Sequence, residues 1–492
     1  MGEIAEANEP ARPGRVRRAG RAIGAGLGRV WRWWRASERE VQPIRQALTI
    51  TLIGSLAGTA LLGWLALRLL PIDPAKPDSV RNALDGIKIV LALVAGVGGV
   101  VALVVAYRRQ RGQERADARE QSKLFHERFA KAAEQLGHAE PTVKLAAVHA
   151  LAALADDAVE MRQTCIDVLC AFLRMPYPPP PPEDAEGTDV EQARLAYAAL
   201  REVRHTIIRL ITAHLQADVP AAKSWQGHDF DFTGAVFDGG TFDAAQFSDS
   251  TVIFVHAQFS VGEVTFHGAQ FSGGMISFGR AEFSGGMVSF GSARFSGGTV
   301  HFSEAGFSGG MVSFGGAEFS GGTVHFSEAR FSGSRVSFGR ADFSGGTVSF
   351  GSAQFSGGEV SFHAAKLSGS RVSFSITLFS GAEFSFRRAL FSAGEVSFNN
   401  ALFSGDEITF SGAQFSGGEV TFNGTQFYRG EITFQGARLS GSRVSFSSAH
   451  FIGGQVDLSA PGAWTVPPVG LPDRPPAGLL LPEAGPPAAA AT

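Results

Sequence analysis

Two cysteines in 492 residues leave nothing from which to build a disulfide framework. Cys165 and Cys170 stand five positions apart on one helical stretch and read as small apolar residues. Their scarcity fits a reducing compartment, and no paired thiolate spacing suggests a metal. Net charge is equally scarce: 43 basic against 46 acidic residues leave −3, which gives no reason to expect a global polyelectrolyte partner. No phosphate-cradling loop survives inspection despite 61 glycines, because the Gly-Gly pairs recur in every repeat and do not lead into helices. The serines recur in Phe-Ser-Gly turns without a fixed His or Asp partner. The sequence therefore offers no catalytic constellation, and no cofactor is expected.

What the chain has in excess is phenylalanine, 41 of them. From Phe247 to Phe451 the residue returns every 12 positions, with leucine only at Leu367 and Leu439. A second series, offset by seven, runs through Phe254, Phe266 and Phe278 to Leu458. Self-similarity at a short fixed period defines a solenoid. The series is entered through Phe232, Phe237, Phe242 and Phe247 at spacing five, with Ala235, Gly240 and Ala245 two places before the last three. Residues two apart share one side of an extended strand, so large and small members both face inward. Beyond Phe247 steps of seven and five alternate. The small partner is Ala in the short step (Ala269, Ala281, Ala341) and β-branched in the long one (Val264, Ile276, Val348), with Thr377, Thr425 and Phe384 as departures. The additional residues fall in Ser-Gly-Gly, where glycine supplies the positive φ of a widened corner. A coil of 12 residues would be a very thin tube, whereas 24 enclose four phenylalanines, two valines and two alanines.

A coil of 24 aligns outward residues in columns. Glu359, Glu383, Glu407 and Glu431 stack on one face; carboxylates about 5 Å apart repel, so the stripe suits a cation or a basic partner, or serves as a solubilising face. Thr299, Thr323 and Thr347 align on the opposite face, too short a run between Met275 and Arg371 to order water as ice-binding β-helices do. His301 and His325 become neighbours with Glu304 and Glu328 close by, a set that nothing completes into a metal site.

Upstream, residues 1–45 are arginine-rich, and Trp31, Trp33 and Trp34 among the arginines favour a membrane flank over a nucleic-acid arm. Ala47–Leu67 and Ile89–Tyr107 carry no charge and are each near the length of a membrane span. Arginines crowd their outer ends, which predicts a multi-pass protein of the plasma membrane with both termini and the repeats cytoplasmic. Residues 113–216 read as helices: a charged stalk from Gln113 to Leu136, a helix opened by Pro141, another over Val159–Leu173, and a last one over Val190–Leu215. A loop at 176–188 with prolines from Pro178 to Pro182 interrupts them.

The strings RFAKAAEQLG (128–137), RQTCIDVLCAFLRMPY (162–177) and EVRHTIIRLITAHL (202–215) resemble the helical module that precedes pentapeptide repeats in many bacterial membrane-anchored proteins. The resemblance covers about residues 128–458 and implies an architecture, since such proteins mostly lack an assigned activity. The expected fold class is a membrane-anchored α plus all-β solenoid. It comprises two transmembrane helices at 46–107, a HEAT- or armadillo-like α-helical module at 113–216, and a right-handed four-sided parallel β-helix at 228–458 with 24 residues per coil. The Pro/Ala/Gly-rich tail, 459–492, is expected to be disordered beyond a short stretch around Trp464 that covers the finish. The functional expectation is a membrane-tethered, non-catalytic scaffold whose partners are the lipid bilayer and a protein. The alternative, taken from pentapeptide-repeat proteins that mimic DNA and act on DNA gyrase, requires a strongly acidic surface. Arg280, Arg294, Arg330, Arg340, Arg387 and Arg388 interrupt any such surface here, so a nucleic-acid role is not expected.

Overall fold

The computed structural model describes residues 77–182 and 184–482, with isolated positions between 53 and 68. The chain divides into two compact units, Met1–Ser122 and Lys123–Thr492. Helix α1, Pro77–Leu136, spans 60 residues. Among the described residues no helix is long and apolar enough to cross a membrane, and this overturns the membrane-anchored fold class. The Ile89–Tyr107 run is one segment of α1; Lys88, Arg108 and Arg109 bound it, and Gly96, Gly98 and Gly99 dilute its apolar content. The basic segment 1–45 lies outside the described residues, as does nearly all of the Ala47–Leu67 run. The corrected class is a small helical module joined to a β-solenoid of about ten turns.

Three further helices follow: α2 (Pro141–Asp157), α3 (Arg162–Arg174) and α4 (Thr188–His214). Pro141 opens α2 at the position where a missing N–H costs nothing. Leu151, Ile166, Leu169, Ile207 and Ile211 are fully buried between these helices.

The solenoid consists of two parallel sheets, of 18 and 17 strands among the described residues. Its register is the one the phenylalanine period implies, with two phenylalanine steps to each coil. Arg294–His301 of the larger sheet pairs with Gln270–Ser277 of the coil before it, setting Phe295 on Phe271 and Val300 on Ile276. Gly306–Phe307 and Met311–Ser313 of the smaller sheet complete that coil and pair with Arg330–Ser337 of the next. Phe295, Val300, Phe302, Ala305, Phe307, Val312, Phe314 and Ala317 all point inward and are buried. Phe302 stacks on Phe278 and Phe326 at 4.7 Å each, and meets Phe314 edge-on at 5.8 Å. Offset-stacked and edge-to-face contacts are the arrangements the ring quadrupole favours, and each buried side chain adds about 1.5–3 kcal/mol of hydrophobic stabilisation. The first coil is shorter: Val236 pairs with Gln258, two positions short of a full coil, before Gly240 pairs with Val264 at the full separation. The spacing of five between Phe237 and Phe242 accounts for the missing pair of residues.

Each coil turns at two kinds of corner. At the Ser-Gly-Gly corners the second glycine has positive φ, as at Gly298 (66°) and Gly310 (66°). A Cβ on Gly310 would lie 2.4 Å from the carbonyl oxygen of Gly286 in the coil before, so close stacking as well as φ demands glycine. The Phe-x-x-Ala corners also need positive φ, yet there Arg280, Ser292, Glu304, Arg340 and Asn400 adopt it. At Gly316, on the same corner, the nearest atom to an added Cβ is Ser292 Oγ at 3.7 Å, so only the intrinsic left-handed cost of about 1–2 kcal/mol applies. Where threonine replaces the inward alanine, its hydroxyl donates to a backbone carbonyl: Thr377 to Phe350 and Thr425 to Phe398, both at 2.8 Å.

The tail does not leave the rod at residue 458. Ala463–Trp464 pairs with Arg438–Leu439, and Leu479–Leu480 with Val456–Asp457. The expected disorder therefore does not hold through Leu480, because Trp464 and Leu479 find buried seats over the last coil. Residues 483–492 lie outside the described residues.

The two corners make a direct comparison possible. Gly310→Ala is expected to cost roughly 2–5 kcal/mol through strain and overpacking, whereas Gly316→Asn should cost no more than about 1–2 kcal/mol. Thermal and urea unfolding of the full chain measure both, and equal losses would sink the distinction.

Candidate functional site: a capped end and an acidic column

A solenoid's first coil has no earlier coil to pair with, so its carbonyls need other donors. Helix α4 supplies them from one face. Arg201, Arg204, Ile208 and Thr212 recur at three-to-four spacing. Arg204 Nη2 donates to Val236 O at 2.7 Å, Arg201 Nη2 to Asp238 O at 3.3 Å, and Thr212 Oγ1 to Thr241 O at 2.6 Å. Just beyond the helix, Gln216 Nε2 donates to Asp243 O at 2.9 Å. Ile208 covers Gly240 so closely that an added Cβ there would meet its Cδ1 at 3.0 Å. Helix α3 adds a reciprocal pair: Gln163 Nε2 donates to Asp229 O at 2.8 Å, and Asp229 N donates to Gln163 Oε1 at 3.0 Å. The buried Arg162 holds the incoming chain, donating to the carbonyls of Ala155, Ala222 and Ser224.

At the centre of this joint is Asp238, whose side chain is 3% exposed. The Tyr177 and Tyr197 hydroxyls donate to its Oδ2 at 2.6 and 2.5 Å. His205 Nε2 lies 3.0 Å from Oδ1, and Arg201 Nε 3.2 Å from Oδ2. Burial raises the carboxyl's pKa, but the hydrogen bonds from His205, Tyr177 and Tyr197 outweigh it and hold the group well below the usual carboxylate range. Burial, and then donation to Asp238, pushes the Tyr177 phenol well above its ordinary value. So firmly ionised a carboxylate is a poor proton acceptor at neutral pH, and the arrangement works as an anchor. None of this joint was read from the sequence as a site. Its signal was polar residues on the inward face of the last helix, among them Arg204, His205 and Thr212 within the string 202–215.

The outward columns form as the coil length requires. Glu359, Glu383, Glu407 and Glu431 are successive register partners on the smaller sheet, continuing from Arg335 and ending at Gln455. Arg335 Nε lies 2.9 Å from Glu359 Oε2; the other three glutamates have no ion pair among the described residues. The matching column of the larger sheet runs Arg371, Glu395, Glu419, Arg443. There each glutamate meets its own arginine, at 3.0 and 3.8 Å. Thr299, Thr323 and Thr347 align on that sheet too. His301 and His325 stack at 5.1 Å, and burial followed by the neighbouring His301 lowers the pKa of His325. Glu304 turns to Arg280 instead, at 2.8 Å, and among the described residues no group of three or more metal-ligating side chains converges. Cys165 and Cys170 are buried and unpaired, and burial raises the Cys165 thiol to about 11.

No family model matches this chain, and neither a curated protein nor a solved structure is similar to it. The solenoid and its regular phenylalanine spacing are thus established by the geometry alone.

Asp238→Ala strands two phenols, an imidazole and a guanidinium at the joint, and is expected to cost about 3–5 kcal/mol. Hydrogen exchange should quicken over residues 230–247 while coils beyond residue 300 keep their protection. Because the folded pKa is depressed, this contribution is complete above the ordinary carboxylate pKa of about 4 and fades as pH falls through the folded value. The carboxylate's share of the stability gap between wild type and variant should therefore shrink as pH falls below about 4 into strong acid.

Proposed function

We propose that the chain is a non-catalytic interaction scaffold: a helically capped β-solenoid that presents fixed columns of side chains to a protein partner. The observation that carries this reading is the contrast between its two charged columns. On the larger sheet the glutamates are neutralised within the rod by Arg371 and Arg443. On the smaller sheet the run Glu359, Glu383, Glu407, Glu431 has one arginine, Arg335. Carboxylates at the roughly 4.8 Å spacing of paired strands repel one another, and a basic partner would relieve that repulsion.

The likeness to pentapeptide-repeat proteins belongs to the same reading. It is supported by the paired inward residues, Val300 with Phe302 and Ala305 with Phe307, a pattern repeated along the solenoid with departures at Leu367, Thr377, Phe384, Thr425 and Leu439. Action as a DNA mimic has less support, because Arg280, Arg294, Arg335 and Arg371 each neutralise an acid of the next coil. Two buried, unpaired thiols suit a reducing, cytoplasmic setting.

Proximity labelling from the full chain in its own host tests the stripe. Labelling of a basic partner should fall at least about tenfold when Glu383, Glu407 and Glu431 are all changed to Lys, a loss of ~1.4 kcal/mol or more. Glu395→Gln, on the neutralised column, should leave it unchanged. An identical set of neighbours for all three proteins would dispose of the acidic stripe.

A further inference from the structure

We propose that the loop between α3 and α4 is a second docking element, a polyproline ligand displayed for a partner protein with an aromatic-lined groove. The run Pro178–Pro182 is unbroken. A proline ring restricts its own φ, and each proline forces the residue before it out of the helical region, so the run is confined to polyproline II. The entering residue already has that form: Met175, ahead of Pro176, has φ −61° and ψ 152°.

The segment is anchored at both ends and bare between them. At its start the Tyr177 ring stacks on Tyr197 at 5.3 Å, with the Arg204 guanidinium 4.3 Å from its centre. The Tyr177 hydroxyl is bound to Asp238 at 2.6 Å. At its end Arg194 Nη2 donates to Pro182 O and Ala185 O, each at 2.9 Å. Between these ties Pro178, Pro179, Pro180 and Pro182 are exposed, and Pro181 is half-buried. With three residues per turn, Pro179 and Pro182 share one ridge.

A spacer would not need this arrangement, because the ties to α4 and the first coil already set the loop's path. A run without N–H groups cannot pair with a strand or close bonds of its own. What it offers is proline rings and carbonyl acceptors, which suit the rings and N–H or O–H donors of tryptophan and tyrosine. Its stiffness and its ties remove most of the ordering cost of binding. Asp184 and Glu186, both exposed just after the run, call for a basic rim on the partner's groove.

The test has two arms, both on the full chain. In the first, purified SH3, WW and EVH1 domains, which carry such grooves, are the probes, and their tryptophan fluorescence is followed on titration. At least one is expected to bind, and Pro179→Ser with Pro182→Ser should weaken it at least tenfold while the thermal midpoint stays put. In the second, a photoreactive phenylalanine analogue at position 184 is activated in the host cell. The expected product is a crosslink to a tryptophan- or tyrosine-bearing peptide of another protein, abolished by excess synthetic peptide of residues 175–184. No binding by any probe, equal binding by the proline variant, a crosslink only to a second copy of this chain, or a crosslink indifferent to the peptide would overturn the proposal.

Discussion

The outward columns of the solenoid depend on one repeated contact, a phenylalanine ring lying on its counterpart in the next coil. Phe254, Phe278, Phe302, Phe326 and Phe350 form such a file, with centroids 4.5 to 4.7 Å apart. That spacing matches the distance between paired parallel strands, so ring stacking and backbone pairing select the same register. A slip by one residue would turn the phenylalanines outward, which makes alternatives to this register strongly unfavourable. The charged columns inherit that order without contributing to it. Glu383 stands over Glu359 because Phe379 stands over Phe355, and not because the carboxylates attract.

Repetition solves the interior and creates a problem at the ends, where paired strands give way to open edges. The two ends answer differently. At the start, side chains of α4 reach across to carbonyls of the first coil. At the finish, the tail lays Trp464 and Leu479 over the last coil with Pro461, Pro467, Pro468, Pro475 and Pro476 along it. Proline has no N–H to offer a further strand, so the tail both covers the core and discourages extension.

Much of this was legible because the repeat states the same thing many times. Coil length, inward residues and the vertical alignment of Glu359 through Glu431 all follow from the spacing of Phe and Gly. The Phe-x-x-Ala corners were not legible. Arg280, Glu304 and Arg340 give no compositional hint of positive φ, yet all three adopt it. The joint was hidden for a different reason: Tyr177, Arg201, His205 and Asp238 are scattered in sequence and converge only when α4 docks. The membrane reading of Ile89–Tyr107 does not hold, since among the described residues no helix is long and apolar enough to cross a membrane.

The two halves of a coil share the same inward pattern while facing opposite ways, and this gives chain length a geometric meaning. Loss of one whole coil would shorten the rod and leave every remaining side chain on its own face. Loss of half a coil would preserve the core equally well, but all that followed would rotate by half a turn. Glutamates now aligned with Glu383 would then come to stand in line with Thr299, Thr323 and Thr347. In such a molecule a small deletion acts as a swivel, so one hydrophobic interior can carry many different faces.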